Sequence, residues 1–251
     1  MQGCLNSILP VYHGWEKEDQ MKSICLLIHG FTGGTHEIEP LRAYLAARHC
    51  ITRTFTLAGH GGTRQDMLNV SRQDWIDGAE KELQQLLRQH ECVHLIGFST
   101  GALIAAHLSV RYPERIRTLT MLSAPVFPLN PRQIMRTLIQ PQMIRGYWHN
   151  LWHVPPQATR EFYKIVRESH AIYTKLAAPA LIVQAGSDHL VKPHSGAYLY
   201  HQLPLEDTCK KLLTLPDSGH LVCHGSDPSE LFTQVYQWIR QHEQSGQSME
   251  N

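Results

Sequence analysis

The sequence predicts an α/β protein built on a mostly parallel central sheet with flanking helices, and two observations predict it. Short apolar, β-rich runs alternate with longer stretches of helical periodicity, the pattern of successive βαβ units. Gly97-Phe98-Ser99-Thr100-Gly101 then joins the apolar run Val93 to Ile96 to a helix of small residues that begins Ala102-Leu103-Ile104-Ala105-Ala106. A serine is thereby set on a strand-to-helix turn, where glycines on either side let the backbone bend and the hydroxyl stand clear of the sheet.

In chain order, strands are expected at Ile24 to Ile28, Ile51 to Leu57, His94 to Phe98, Ile116 to Leu122, Leu181 to Ala185 and Lys211 to Leu215. Between them the helical spacing predicts Glu39 to Arg48, Asp74 to His90, Thr100 to Tyr112, Thr159 to Lys175, His194 to Gln202 and Pro228 to His242. The last helix is the best marked. Asp227 suits its cap, Pro228 its first turn, and Leu231, Val235, Trp238 and Ile239 form one apolar face that covers the sheet.

The alternation breaks between Ala124 and Pro156. Pro125, Pro128, Pro131, Pro141 and Pro155 fall here beside the large side chains Met143, Ile144, Tyr147, Trp148, Leu151 and Trp152. The expectation is a single domain over 1–251 with a small helical cap inserted at 124–156. Trp148 and Trp152, spaced i, i+4, suit packing on one face of such a cap and ligand contact on the other.

Composition narrows the function. A chain of 251 residues, 42% hydrophobic and 18% charged, is large enough for one sizeable core. Lys+Arg 23 against Asp+Glu 22 leaves a formal charge of +1, so no whole-chain field draws it to nucleic acid or anionic lipid. Met1 to Pro10 lacks the basic flank and apolar core of a signal peptide, and nowhere do about 18 apolar residues run together, so a cytoplasmic protein without a membrane span is expected. The six cysteines are scattered without CxxC pairs and read mostly as small buried hydrophobes. His220 and His224 have the spacing of a zinc helix, but Leu221 stands where HExxH needs Glu, so no metal or other cofactor is expected.

A serine hydroxyl needs a base to take its proton and an anion to orient that base. Asp188 follows the run Leu181 to Ala185 through Gly186-Ser187, which places its carboxylate at a strand end; Asp217 is the competing acid. His220 lies in the turn after Leu215, with Gly219 before it, and is preferred as base over His189 and His224. A negative oxygen formed on attack needs backbone donors. The amide of Thr100 is one, and His29-Gly30-Phe31-Thr32-Gly33-Gly34 supplies the second, assigned to Phe31. The same glycine turn lacks the Gly-Lys-Ser/Thr of a phosphate loop, and Gly59-His60-Gly61-Gly62 reads as a structural loop beside the site.

Together, His29-Gly30-Phe31-Thr32-Gly33, Gly59-His60-Gly61, Gly97-Phe98-Ser99-Thr100-Gly101, Gly186-Ser187-Asp188 and Ser218-Gly219-His220 resemble the bacterial carboxylesterases and monoacylglycerol lipases of the α/β-hydrolase superfamily. The resemblance implies the α/β-hydrolase fold with a small helical cap, Ser99 as nucleophile, Asp188 and His220 as its partners, and Phe31 and Thr100 as oxyanion donors. Thr100 departs from the Met, Leu or Gln common after the serine, and Cys223-His224 from an aliphatic stretch. The expected activity is hydrolysis of short- to medium-chain carboxylic esters through an acyl-enzyme, on a small-molecule substrate whose pocket is lined by Trp148, Trp152 and Val191. Monoacylglycerol lipase, thioesterase and, outside enzymes, a slow-turnover ligand-sensing protein are the alternatives.

Overall fold

The computed structural model describes residues 23–127, 154–225 and 228–247. Among the described residues six strands form one sheet: β1 (Ile24–Ile28), β2 (Ile51–Thr54), β3 (Val93–Phe98), β4 (Ile116–Leu122), β5 (Ala180–Ala185) and β6 (Lys210–Leu215). All pairings are parallel, in the order β2-β1-β3-β4-β5-β6. A parallel sheet must bury both faces, because its crossover connections run over them. β1, β3 and β5 are accordingly buried at every position.

The helices are α1 (Glu39–Ala46), α2 (Arg64–Leu68), α3 (Arg72–Leu87), α4 (Thr100–Arg111), α5 (Pro156–Tyr173), α6 (Ser195–Gln202) and α7 (Ser229–Gln247). Strand period fixes which helices each residue meets. Leu26 and Ile28 of β1, Val93 and Leu95 of β3, and Leu119 and Met121 of β4 pack with the apolar faces of α3, α4, α5 and α6. Cys25 and Leu27, Ile96 and Phe98, and Leu181 and Val183 pack on the other side with Leu41 and Leu45 of α1 and Leu231, Val235, Trp238 and Ile239 of α7. Asp227, the expected cap of α7, lies outside the described residues, as do Trp148, Trp152 and most of the expected cap segment.

Several boundaries differ from expectation for local reasons. β2 stops at Thr54, short of Leu57, because the Leu57 amide leaves the ladder and donates to Nε2 of His29 at 3.0 Å. α3 starts at Arg72, since Ser71 caps it: the Asp74 amide donates to the Ser71 hydroxyl and the Ser71 amide to the Asp74 carboxylate at 2.8 Å. α5 begins at Pro156, a residue suited to a first helical turn because its missing N–H has no intrahelical acceptor there. α2 was not foreseen from the sequence. It has five residues, too few to show periodicity, and rests on a capping box between Thr63 and Asp66.

Arg72 fastens α3 to α5. Its guanidinium donates to Glu161 at 2.8 Å and makes a two-pronged contact with Glu168 at 2.6 and 2.7 Å. Glu161 is buried, which works against its charge, yet bonds from Lys164 and Arg72 hold its carboxyl at about 2. Removing one partner of such a group strands the other. Arg72→Ala is therefore expected to lower unfolding free energy by about 1–3 kcal/mol at pH 7, less than a fully buried pair because Arg72 is partly exposed. The pair's contribution is present above the ordinary carboxylate range and lost as pH falls toward about 2, so the gap between wild type and variant in urea unfolding should shrink on acidification. A gap that is constant with pH would contradict the ionic account.

Candidate active site

The strand order reverses between β1 and β3. From β1 the chain goes outward to β2 and then returns to β3 on the other side of β1. Loops leaving the carboxyl ends of β1 and β3 therefore diverge, and such a switch point is where open α/β sheets bind ligands. Ser99 follows β3 and the glycine turn 29–34 follows β1, so both stand at that crevice.

Ser99 has φ 52° and ψ −120°, a conformation that costs a residue with a side chain about 1–3 kcal/mol. It is held by its neighbours. The Ser99 amide donates to the Leu122 carbonyl at 2.8 Å, and the Ala102 amide donates to the Ser99 carbonyl at 2.9 Å. A Cβ on Gly97 would enter the first turn of α4 at Gly101 and Ala102, and one on Gly101 would strike the carbonyl oxygens of Ile28 and His29. The two glycines bring β3, α4 and the end of β1 into backbone contact, and the serine takes the turn between them.

The Ser99 hydroxyl lies 3.2 Å from Nε2 of His220, and Nδ1 of His220 lies 2.8 Å from Oδ2 of Asp188. Asp188 is only 4% exposed and His220 8%. The carboxylate accepts Nδ1–H, which leaves Nε2 free to accept the serine proton. The other carboxylate oxygen, Oδ1, accepts the amides of Leu190 and Val191 at 2.8 and 2.9 Å, so Asp188 is fixed at both oxygens. Its loop is laced to that of His220: the Gly186 amide donates to Leu215, the Ser187 amide to Ser218 and the Ser187 hydroxyl to Pro216. The ring of Phe98 lies 5.1 Å from that of His220 and backs it.

The competing residues are elsewhere. Asp217 and His189 are exposed, and the His224 ring bonds the His36 carbonyl at 2.9 Å. Thr100 opens α4, where a first-turn amide has no intrahelical acceptor. Phe31 leaves β1 and stacks on Phe162 of α5, 5.3 Å apart and 12° from parallel, with Trp75 and His60 against its other sides. Val191 is buried and meets Asp188 through its amide. A cleft of about 110 Å³ beside Thr32 is lined by Gly59, His60, Gly62 and Met67. Among the described residues no group of three or more His, Cys, Asp or Glu is arranged to hold a metal ion.

Two groups that sequence reasoning passed over stabilise the glycine turn. His29 is wholly buried; Nδ1–H donates to the Gly30 carbonyl at 2.8 Å and Nε2 accepts the Leu57 amide. Burial pushes its pKa down to about 4, so the ring stays neutral and keeps both bonds through neutral pH. Glu37 is 6% exposed and its carboxylate accepts the Gly30 amide at 3.0 Å. A buried histidine next to a glycine turn carries no sequence signal beyond its residue type, and Glu37 reads as an ordinary acid ahead of α1.

Comparison with known proteins identifies the family. The model of an alpha/beta hydrolase family matches residues 25–235. The chain belongs to the alpha/beta hydrolase family. Among family relatives, a carboxylesterase of Bacillus subtilis (strain 168) is 20% identical over 227 residues, covering 85% of this chain and 91% of the relative. A thermostable monoacylglycerol lipase of Bacillus sp. (strain H-257) is 22% identical over 230 residues, covering 86% and 90%. The solved structure of a metagenome-derived lipolytic enzyme superposes with a TM-score of 0.75 at 22% identity, covering 88% of this chain and 95% of that one. The monoacylglycerol lipase of Paleococcus ferrophilus gives 0.67 at 16% identity, covering 87% and 94%. These likenesses show the alpha/beta hydrolase fold.

The close approach at the serine turn has a measurable consequence. Gly101→Ala forces a methyl group against two backbone carbonyls that cannot swing away, and overpacking of this kind costs about 1–3 kcal/mol. Its urea midpoint should fall well below wild type, whereas Gly78→Ala, where a Cβ meets nothing, should hold or raise it. Equal midpoints for the two variants would contradict the packing described.

Proposed function

We propose that this chain is a serine carboxylesterase that hydrolyses short- to medium-chain carboxylic esters through an acyl-enzyme. The observation that carries the reading is the continuous chain from the Ser99 hydroxyl through His220 to a buried Asp188 fixed at both oxygens. The family and the names of its relatives support ester hydrolysis in particular.

In this reading Ser99 Oγ attacks the ester carbonyl carbon as Nε2 of His220 takes its proton, and Asp188 stabilises the imidazolium that results. The carbonyl oxygen becomes an anion and is received by the amides of Phe31 and Thr100, each donor being worth ~3–4 kcal/mol in systems where one has been removed. As the tetrahedral adduct collapses, the imidazolium gives its proton to the departing alkoxide, and alcohol leaves. Water then attacks the Ser99 acyl group with His220 again as base, and the acid departs with the serine restored. Each balanced step uses groups of this chain and water. An apolar acyl site would add ~0.8 kcal/mol per methylene until filled, so chain-length preference measures its depth.

The test is initial hydrolysis rate on p-nitrophenyl esters of graded acyl length, with Ser99→Ala and Asp188→Asn beside the wild type. Rapid turnover that peaks at one length, vanishes in Ser99→Ala and falls by ~10⁴ in a folded Asp188→Asn is expected. Negligible wild-type turnover at every length, with activity on thioesters instead, would move the assignment to a thioesterase. A near-normal rate in Asp188→Asn would overturn the assigned acid.

A further inference from the structure

One buried carboxyl group near Ser99 takes no part in the proton relay. Glu37 ends the short 3₁₀ turn Thr35–Glu37 just before α1, and it is only 6% exposed. Its carboxylate lies inside the turn that follows β1. Oε2 accepts the Gly30 amide at 3.0 Å, and a Cβ built on Gly33 would fall on the carboxylate itself. A Cβ built on Gly30 would lie 3.3 Å from Glu37 Oε2 and 3.1 Å from the Ser99 Cβ. Gly30 is therefore wedged between Glu37 and the serine, and Gly33 leaves the space that the carboxylate occupies.

This placement acts on the backbone that carries the second oxyanion donor. The Phe31 N–H belongs to the same rigid peptide plane as the Gly30 carbonyl, and relative to the Gly30 amide that plane turns only about the Gly30 dihedrals. His29 holds the carbonyl end at 2.8 Å. Glu37 holds the Gly30 amide, one peptide unit earlier in the chain. With both ends tied, Gly30, the residue with the greatest backbone freedom, keeps one conformation and the Phe31 amide one direction.

We propose that Glu37 is a positioning residue of the site, whose buried carboxylate fixes Gly30 and thereby aims the Phe31 amide at the oxygen anion formed on Ser99 attack. The proposal rests on the reading of Ser99 as nucleophile given above. The charged and titratable groups facing Glu37 are His220 and His224, from the segment after β6, and the Cys223 thiol between them. Burial raises the Glu37 carboxyl to about 6, against the Gly30 and Gly34 amides and the two histidines. Burial also pushes the Cys223 thiol up to about 12, so it stays neutral and adds no charge. Above about pH 6 Glu37 is ionised and grips the amide most strongly, and below it protonation loosens the grip.

The experiment measures the rate at which a fluorophosphonate modifies Ser99, a reaction that needs nucleophile, base and oxyanion donors but no knowledge of the natural substrate. Glu37→Gln should slow it by about tenfold, short of the ~10²–10³ for deleting an oxyanion donor outright. The pH dependence separates positioning from mere stability. In wild type the fall below about pH 6 should be steeper than one proton over about one decade of rate, protonation of Glu37 costing what Glu37→Gln costs; in Glu37→Gln the slope should nowhere exceed one. His224→Gln should keep the wild-type dependence. An equal rate and equal proton dependence in Glu37→Gln would overturn the proposal while leaving Ser99 as nucleophile intact. Absence of labelling at Ser99 in wild type would instead remove the nucleophile reading and this proposal with it. Should Glu37→Gln not fold, the His224→Gln protein decides alone: a decade of rate below about pH 6 that falls more steeply than one proton supports the role, and a slope that nowhere exceeds one overturns it.

Discussion

The site depends on a backbone contact more than on any side chain. At the carboxyl end of β3 the chain turns into α4 through a serine at φ 52°, and this works only because Gly97 and Gly101 let strand, helix and the end of β1 touch. The strain of about 1–3 kcal/mol is borne by the surrounding core, where Leu95, Ala102, Ile104 and Ala105 are all buried against one another. Were the helix to sit farther away, the serine could relax to an ordinary dihedral and its hydroxyl would no longer face His220. The geometry of the chemistry is thus an outcome of packing at the sheet's edge.

Around that turn the sheet brings together segments distant in sequence. Ser99, Asp188 and His220 follow β3, β5 and β6, and 121 residues separate the serine from the imidazole it meets. The loops of Asp188 and His220 are locked together, Asp188 by two amides and by lacing to the 215–218 segment, and the glycine turn is held by His29 and Glu37. The two supports of the glycine turn are tuned oppositely. Burial keeps His29 neutral with a pKa near 4, and the same effect lifts Glu37 to about 6, so only Glu37 changes charge near neutrality.

Much of this was legible in the sequence because it is written in local pattern. The strand runs at 24–28 and 116–122 match the sheet residue for residue, the first because apolar continuity marks a strand buried on both faces. Ser99, Asp188 and His220 could be placed because each lies in a turn signalled by glycine after a strand-like run. What escaped the sequence is whatever tertiary contact decides. β2 ends early because an imidazole takes the Leu57 amide, α2 with five residues is too short to repeat a helical pattern, and Glu37 is buried by a loop whose path its neighbours do not reveal. Arg72 belongs to the same class, since its two acidic partners lie 89 and 96 residues along the chain.

The central claim is that the hydroxyl on the strained turn is the group that takes the acyl chain. The direct measurement is to mix the protein with a p-nitrophenyl ester, quench in acid within the first turnovers, and map the acyl mass by peptide fragmentation. The account predicts an adduct on Ser99 that forms with a burst of nitrophenol, persists longer in a His220 variant acylated with a more reactive ester, and is lost in Ser99→Ala. Nitrophenol released with no acyl mass on Ser99, or with the adduct on another residue, would contradict it.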